Sequence, residues 1–327
     1  MADLTTRYLG LTLPNPILVA SSRLTSTLAG VKRCEESGAG AVVLKSLFEE
    51  QITADASSMM EGADYSIHAD AFDFFANSSK DYFIDTYLDL VEKAKKSVQI
   101  PVIASLNCVS AGSWLDYAHR FEEVGADALE INAYIIPSVA SKTALEIEQE
   151  YDLLFKEIRK RVSIPIAFKM GQNFSGLAHR MRSFDEMGAD GLVLFNRFYR
   201  TDINIEDEST VPGKVVSSPE EYATSLQWTG LMSGELDCDI CANTGVHDGE
   251  TVIKMLLAGA SSVGICSALI KEGHGVIGNM RDTLESWMDR KGYASIADFK
   301  GKLCQERSNE PEIWERSQYI KAVCGIS

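Results

Sequence analysis

Two lysines set among amides and hydroxyls carry the chemistry open to this sequence. Lys45 and Lys169 stand at the ends of short apolar runs, and so do Ser21 with Ser22, Ser46, Asn107, Asn132, Asn196, Asn243 with Thr244, and Ser267. An ammonium group can stabilise negative charge that develops on a bound molecule, or attack a carbonyl as a Schiff-base nucleophile; amides and hydroxyls pair with the edge of a flat polar ring. No Ser-His-Asp arrangement accompanies them, and the five histidines have no metal-ligand spacing. Residues 238–267, CDICANTGVHDGETVIKMLLAGASSVGICS, add an anion site. One apolar run reaches Asn243-Thr244-Gly245, a segment with Val252, Met255, Leu256 and Leu257 at helical spacing follows, and a second apolar run reaches Cys266-Ser267-Ala268. Glycine at the first junction lets backbone N–H groups close on an anion. Paired junctions of this kind form the phosphate site after the seventh and eighth strands of a (β/α)8 barrel.

These residues need elements that hold them on one face. Apolar, β-branched runs occupy 17–20, 41–44, 102–106, 128–131, 166–168, 191–195, 239–242 and 262–265. Most are separated by segments of helical periodicity, such as 115–124 and 151–161. Four are announced by similar phrases, ESGAGAVVL, EVGADALEI, EMGADGLVL and LAGASSVGI, which read as a helix ending at glycine before a buried parallel strand. The repeat predicts an α/β fold, a (β/α)8 TIM barrel, with its polar strand ends gathered at the C-terminal face. The 327 residues fit one such domain over 1–327, with cover segments near 49–80 and 197–235. Phe72, Phe74 and Phe75 are expected to pack the first cover down.

A composition of 45% hydrophobic and 24% charged residues allows a sizeable core. The formal charge of −16 argues against a general nucleic-acid or membrane-surface binder, so an anionic ligand must be held by local cations and backbone amides. No apolar run approaches the ~20 residues of a membrane span. The opening MADLTTRYLG has no hydrophobic signal core, and the seven cysteines are scattered unlike a disulfide framework, so a cytoplasmic protein is expected. Cys238 and Cys241 would point to opposite faces of a strand and have no second pair nearby, which suits buried or surface thiols rather than a metal site. A phosphate clamp, two lysines and several amides together suit flavin mononucleotide (FMN). Reduction of that ring leaves negative charge near N1 and O2, which Lys169 or Lys45 can stabilise.

With these residues in view, the sequence resembles the dihydroorotate dehydrogenase family, in particular its soluble class 1 enzymes, over nearly its whole length. The resemblance is carried by LGLTLPNPILVASS, VVLKS, LEIN, IPIAFKM, the block from ANTGV to GASSVGICSALIKEG, and MDRKGYASIADFKGKL. It implies an FMN-containing barrel that oxidises a dihydropyrimidine by hydride transfer to flavin N5, and a homodimer. By position it implies flavin contacts at Ala20, Ser21, Lys45, Ser46, Asn132, Lys169, Gly245, Cys266 and Ser267. Lys45, Asn132 and Asn196 would also reach the pyrimidine. The polar strand ends Asn107, Asn243 and Thr244 join the candidate cofactor contacts.

The departures fall on the substrate half. Family members carry an N-L-S-C-P-N-like loop in which cysteine or serine takes the C5 proton; here the loop is Asn132-Ala133-Tyr134-Ile135-Ile136-Pro137, with Ile135 at the base position. The N-S-M-G-L-P-N-like segment that grips substrate has no counterpart in 61–68, and the family's Asn-Ser after the sixth strand is Asn196-Arg197. Tyr134, Cys108 or His68 could supply the missing base, or each could be a packing or surface residue. Arg197 could bind a carboxylate or phosphate with its fork, or pair with Glu206 or Asp207. The polar segment 200–219 is expected over the barrel mouth.

The reading is therefore an FMN-dependent oxidoreductase that acts on a CH–CH group, with dihydroorotate as the implied substrate in pyrimidine biosynthesis and Lys45, Tyr134 and Cys108 as catalytic candidates. A divergent flavin oxidoreductase on another small cyclic or carboxylated compound, an aldolase-like Schiff-base barrel and a non-catalytic FMN-binding protein remain open. Without a nicotinamide fingerprint or an iron–sulfur cysteine cluster in the chain, the electron acceptor would be another subunit or a diffusible oxidant such as fumarate, quinone or oxygen.

Overall fold

The computed structural model describes residues 2–48, 69–107, 114–133, 135–197, 200–315 and 323–324, with side chains at all of these but 69–81 and 114–116. Eight parallel strands close into a ring: β1 Ile17–Val19, β2 Ala41–Val43, β3 Val102–Asn107, β4 Ala128–Asn132, β5 Ile166–Met170, β6 Gly191–Leu194, β7 Asp239–Ala242 and β8 Ser262–Ile265. Each pairs with its neighbours in chain order, and β8 closes on β1 through Val263 opposite Ile17. The result is the predicted (β/α)8 barrel, with every expected run within two residues of an observed strand.

The four repeated phrases have a shared physical cause. Gly38, Gly125, Gly188 and Gly259 all take positive φ, between 88° and 114°, and each ends the helix packed on the preceding strand. Only glycine adopts that conformation without strain against its own Cβ. The acid that follows in two phrases closes the bottom of the barrel. Asp127 Oδ2 accepts from the N–H of Val102 at 2.7 Å, and Asp190 Oδ2 from the N–H of Ile166 at 2.8 Å. A sequence repeat thus becomes a repeated helix stop and a repeated strand start.

Alternation along the strands divides the core in two. Outward side chains such as Val19, Val42, Leu129, Phe168 and Leu192 pack under the surrounding helices, while Leu18, Ala41, Val43, Ile103, Ala128, Ala167, Val193 and Cys241 fill the barrel. Cys238 packs in the outer layer, opposite to Cys241. An N-terminal hairpin, Thr6–Tyr8 against Leu11–Leu13, plugs the barrel floor with Tyr8, Leu9 and Leu13. These strands of three residues are too short to show a period in the sequence. Among the described residues no helix is long and apolar enough to cross a membrane.

Of the expected covers, 49–68 lie outside the described residues, and 69–97 form one helix, Ala69–Ser97; the side chains of Phe72, Phe74 and Phe75 also lie outside the description. The second cover contains an exposed hairpin, Thr201–Asn204 with Ser209–Pro212, followed by the barrel helix Tyr222–Met232.

Candidate active site

A cavity of about 290 Å³ opens at the C-terminal ends of the strands. Its lining includes Ala20, Ser21, Ser22, Lys45, Ser46, Asn132, Lys169, Asn196, Arg197, Asn243, Thr244, Gly245, Cys266 and Ser267, so the fold gathers fourteen of the residues singled out in the sequence. They converge because each ends, or directly follows, a strand whose inward face is set by alternation from the packed interior. Asn107 does not reach the lining. Its strand end pairs with a short strand, Leu47–Phe48, and Phe48 takes the place at the cavity wall. Cys108, Tyr134 and His68 lie outside the described residues.

The electrostatics of the cavity oppose those of the chain. Arg23, Lys45, Lys169 and Arg197 line it, and no carboxylate is among the described lining residues, in a protein of net charge −16. The compensating acids stand one layer back. Glu130, buried inside the barrel on β4, lies 3.5 Å from Lys169 Nζ. Glu221 lies 2.9 Å from Arg197 Nε, and the carbonyls of Lys214 and Val215 accept from the same guanidinium at 2.8 and 3.1 Å. Burial acts to raise the Glu221 carboxyl, yet Arg197 and the N–H of Ser218 hold it below its ordinary value. The expected partners of Arg197, Glu206 and Asp207, are replaced by Glu221. The hairpin carries 206–207 to its exposed turn, where Asp207 accepts from Asn204, and brings 214–221 back to the arginine. Arg197 therefore enters the wall with its fork engaged.

Hydroxyls and amides complete the wall. Asn196 Nδ2 donates to Asn132 Oδ1 at 2.6 Å. Ser21 Oγ and Ser46 Oγ are 3.0 Å apart, and Ser46 Oγ lies 2.7 Å from Ser105 Oγ, whose backbone N–H donates to Tyr87 OH at 2.9 Å. This chain runs from the cavity to the helix Ala69–Ser97. Burial pushes the Tyr87 phenol up, and that of Cys266 raises its thiol, so both keep their protons at neutral pH.

The expected phosphate junction is a tight turn. Thr244 and Gly245 take successive left-handed conformations, with φ of 75° and 74°. Thr244 Oγ1 holds its turn by donating to Phe195 O at 2.9 Å. A Cβ on Gly245 would come within 2.1 Å of Tyr222 N, so the loop meets the start of the preceding helix, Tyr222–Met232, backbone to backbone. Ser217, from the second cover, fastens that segment over the junctions. Its N–H donates to Ser267 Oγ at 2.9 Å, its Oγ lies 3.0 Å from His247 Nε2, and its carbonyl accepts from Lys271 Nζ at 2.7 Å. Burial, then the Lys271 charge, holds His247 below its usual value.

Sequence reading missed Arg23, Phe48, Ser217 and Glu130. Arg23 directly follows the Ser21-Ser22 strand end, and Glu130 shares the inward face of Asn132 two residues earlier, so position and period held both signals. Ile135, at the expected base position, does not line the cavity. It packs against the outer core, and its N–H donates to Tyr151 OH at 2.8 Å.

Comparison with known proteins agrees with this geometry. The model of the family described as dihydroorotate dehydrogenase matches residues 3–288. The chain is 29% identical to the catalytic subunit of dihydroorotate dehydrogenase B (NAD(+)) of Thermoplasma acidophilum, over 92% of this chain and 99% of that one. It is 24% identical to the subunit of the same name from Pyrococcus furiosus, over 89% and 96%. It is 22% identical to the chloroplastic dihydropyrimidine dehydrogenase (NADP(+)) of Arabidopsis thaliana, over 97% and 80%. With the family match running from the hairpin that plugs the barrel to the last barrel helix, the chain belongs to the dihydroorotate dehydrogenase family, whose members are oxidoreductases.

Proposed function

We propose that the protein binds FMN in this cavity and oxidises dihydroorotate, or a closely related dihydropyrimidine, to the ring with a new C=C bond. The observation that carries the reading is the cationic lining, without a carboxylate among its described residues, in an acidic chain: such a wall suits a ligand with a phosphate and a ring that becomes anionic when reduced. FMN, when bound, supplies a hydride acceptor and carries the resulting charge at its N1–O2 edge. Lys169 would hold positive charge toward that edge. The junctions at Thr244–Val246 and Cys266–Ser267 would hold the phosphate, with Arg23 nearby on the wall. Asn132 and Asn196 would orient the amides of the pyrimidine, and Lys45 its carbonyl or carboxylate.

The names of the relatives support the substrate class, since each acts on a dihydropyrimidine ring, and their nicotinamide acceptors, with the term "catalytic subunit", support electron transfer through a second subunit. A cytoplasmic homodimer completes the proposal. One observation favours a second reading, a flavin oxidoreductase for another small carboxylated ring: Ile135 offers no proton acceptor and faces away from the cavity. Anaerobic titration of the yellow protein with dihydroorotate separates the two. Bleaching of the flavin band, slowed in Lys45→Ala, supports dihydroorotate; a band that persists with dihydroorotate and bleaches with another reduced ring supports the second reading.

A further inference from the structure

The barrel interior holds a carboxylate that no packing argument requires. Glu130 is 3% exposed and lies on the same inward face of β4 as Ala128 and Asn132, among Ile103, Ala167, Val193 and the phenol of Tyr8. Replacing a buried ion pair by well-packed apolar groups is often neutral or stabilising, so the presence of a pair here is not explained by stability. Its partner is Lys169, itself 6% exposed, whose strand position is in register with Asn132 and whose ammonium lines the cavity. Lys169 Nζ and Glu130 Oε1 are 3.5 Å apart. Glu130 does not line the cavity, so it meets any ligand only through the lysine.

We propose that Glu130 is a positioning residue for Lys169 and sets the reduction potential of the flavin by sharing that lysine's charge. The proposal rests on the FMN reading above. The carboxylate behind Lys169, 3.5 Å from its Nζ, offsets the cost of burying the ammonium group. The same carboxylate draws part of that charge away from the cavity. Negative charge arriving on the ring in front of Lys169 is stabilised by the difference between the two. Tyr8 beneath does not compete as an anion, because burial, with Cys241, Glu130 and Asp239 nearby, holds its phenol well above the ordinary value.

Removing the carboxylate charge while keeping the side-chain shape leaves Lys169 uncompensated, and the bound flavin becomes easier to reduce. The test is the two-electron midpoint potential of purified wild type, Glu130→Gln, Lys169→Met and the double variant, measured by anaerobic equilibration with a reference dye. Glu130→Gln is expected to shift the reduced-to-oxidised ratio at fixed potential by about tenfold toward reduced, about 30 mV upward for a two-electron couple. Lys169→Met is expected to shift it downward, and the double variant to recover only part of that loss, because removing the opposing carboxylate does not replace the lysine. Should Glu130→Gln not yield folded protein, Glu130→Asp, which withdraws the charge by one methylene, is expected to move the potential upward by less. A yellow wild type with an unchanged potential in Glu130→Gln, or in Glu130→Asp where that is the variant obtained, overturns this proposal alone. A colourless wild type that FMN does not reconstitute overturns the flavin reading and this proposal with it.

Discussion

Asn196 donates from Nδ2 to Oδ1 of Asn132 across 2.6 Å, which ties the ends of β6 and β4 together over the end of β5. Both side chains line the cavity, and the bond fixes which way the Asn132 amide faces: its oxygen is engaged by Asn196, leaving its NH2 for a ligand. Substitution at Asn196 therefore acts twice, by removing one amide and by releasing the other. Asn196→Ala is expected to reduce the second-order rate of flavin bleaching by dihydroorotate about 10- to 100-fold, equivalent to about 1–3 kcal/mol for a polar contact left unmade. Flavin content should stay at the wild-type level, and stopped-flow absorbance with cofactor quantification checks both.

The turn at Gly245 admits no side chain. A Cβ would meet Tyr222 N at 2.1 Å, and the φ of 74° adds its own penalty for any other residue. Gly245→Ala must shift the junction or the start of the helix Tyr222–Met232. It is expected to lower stability by about 1–3 kcal/mol, a typical cost of forced backbone strain, and to weaken FMN binding more than riboflavin binding, because the phosphate side of the cavity moves. Denaturant unfolding and comparative flavin titrations measure the two effects.

Acid should loosen the segment that Ser217 fastens. His247 in the fold lies below its ordinary value of 6.5, chiefly through burial, so the unfolded chain takes up a proton before the folded one does. Its contribution to stability is complete above pH 6.5 and is lost as pH falls from there through its lowered value. His274 is lowered in the same direction, by burial and then by Arg33, and adds to the same window. The melting temperature should therefore decline as pH drops below 6.5. His247→Gln should have a lower melting temperature at pH 8 and a shallower decline, with the remaining slope in this window owed to His274. A decline as steep as in the wild type would remove His247 from this account.

The parts of the fold that were legible in the sequence are those where one physical cause repeats. Buried parallel strands need continuous apolar runs, and the helix stop before them needs glycine at positive φ, so Gly38, Gly125, Gly188 and Gly259 announced their strands. The cavity-lining residues were legible because a barrel collects its strand ends on one face. What escaped were long-range choices. The partner of Arg197 depended on how the hairpin Thr201–Asn204 with Ser209–Pro212 turns the chain, which carries Glu206 and Asp207 away and returns Glu221. Asn107 lost its place to Phe48 because a two-residue strand pairs alongside β3, and strands that short leave no period to read. Glu130 was hidden by its bulky apolar neighbours Leu129 and Ile131, although its inward position followed from that of Asn132.

Whether the cationic cavity holds FMN by its phosphate is decided by reconstitution. The purified protein is stripped of bound cofactor, and FMN and riboflavin are titrated back while flavin fluorescence is followed. One FMN per chain is expected, with riboflavin bound at least about tenfold more weakly, since a phosphate held by charge-assisted hydrogen bonds is worth about 1.5–3 kcal/mol or more. Equal affinity for the two flavins, or no binding of either by folded protein, would contradict it.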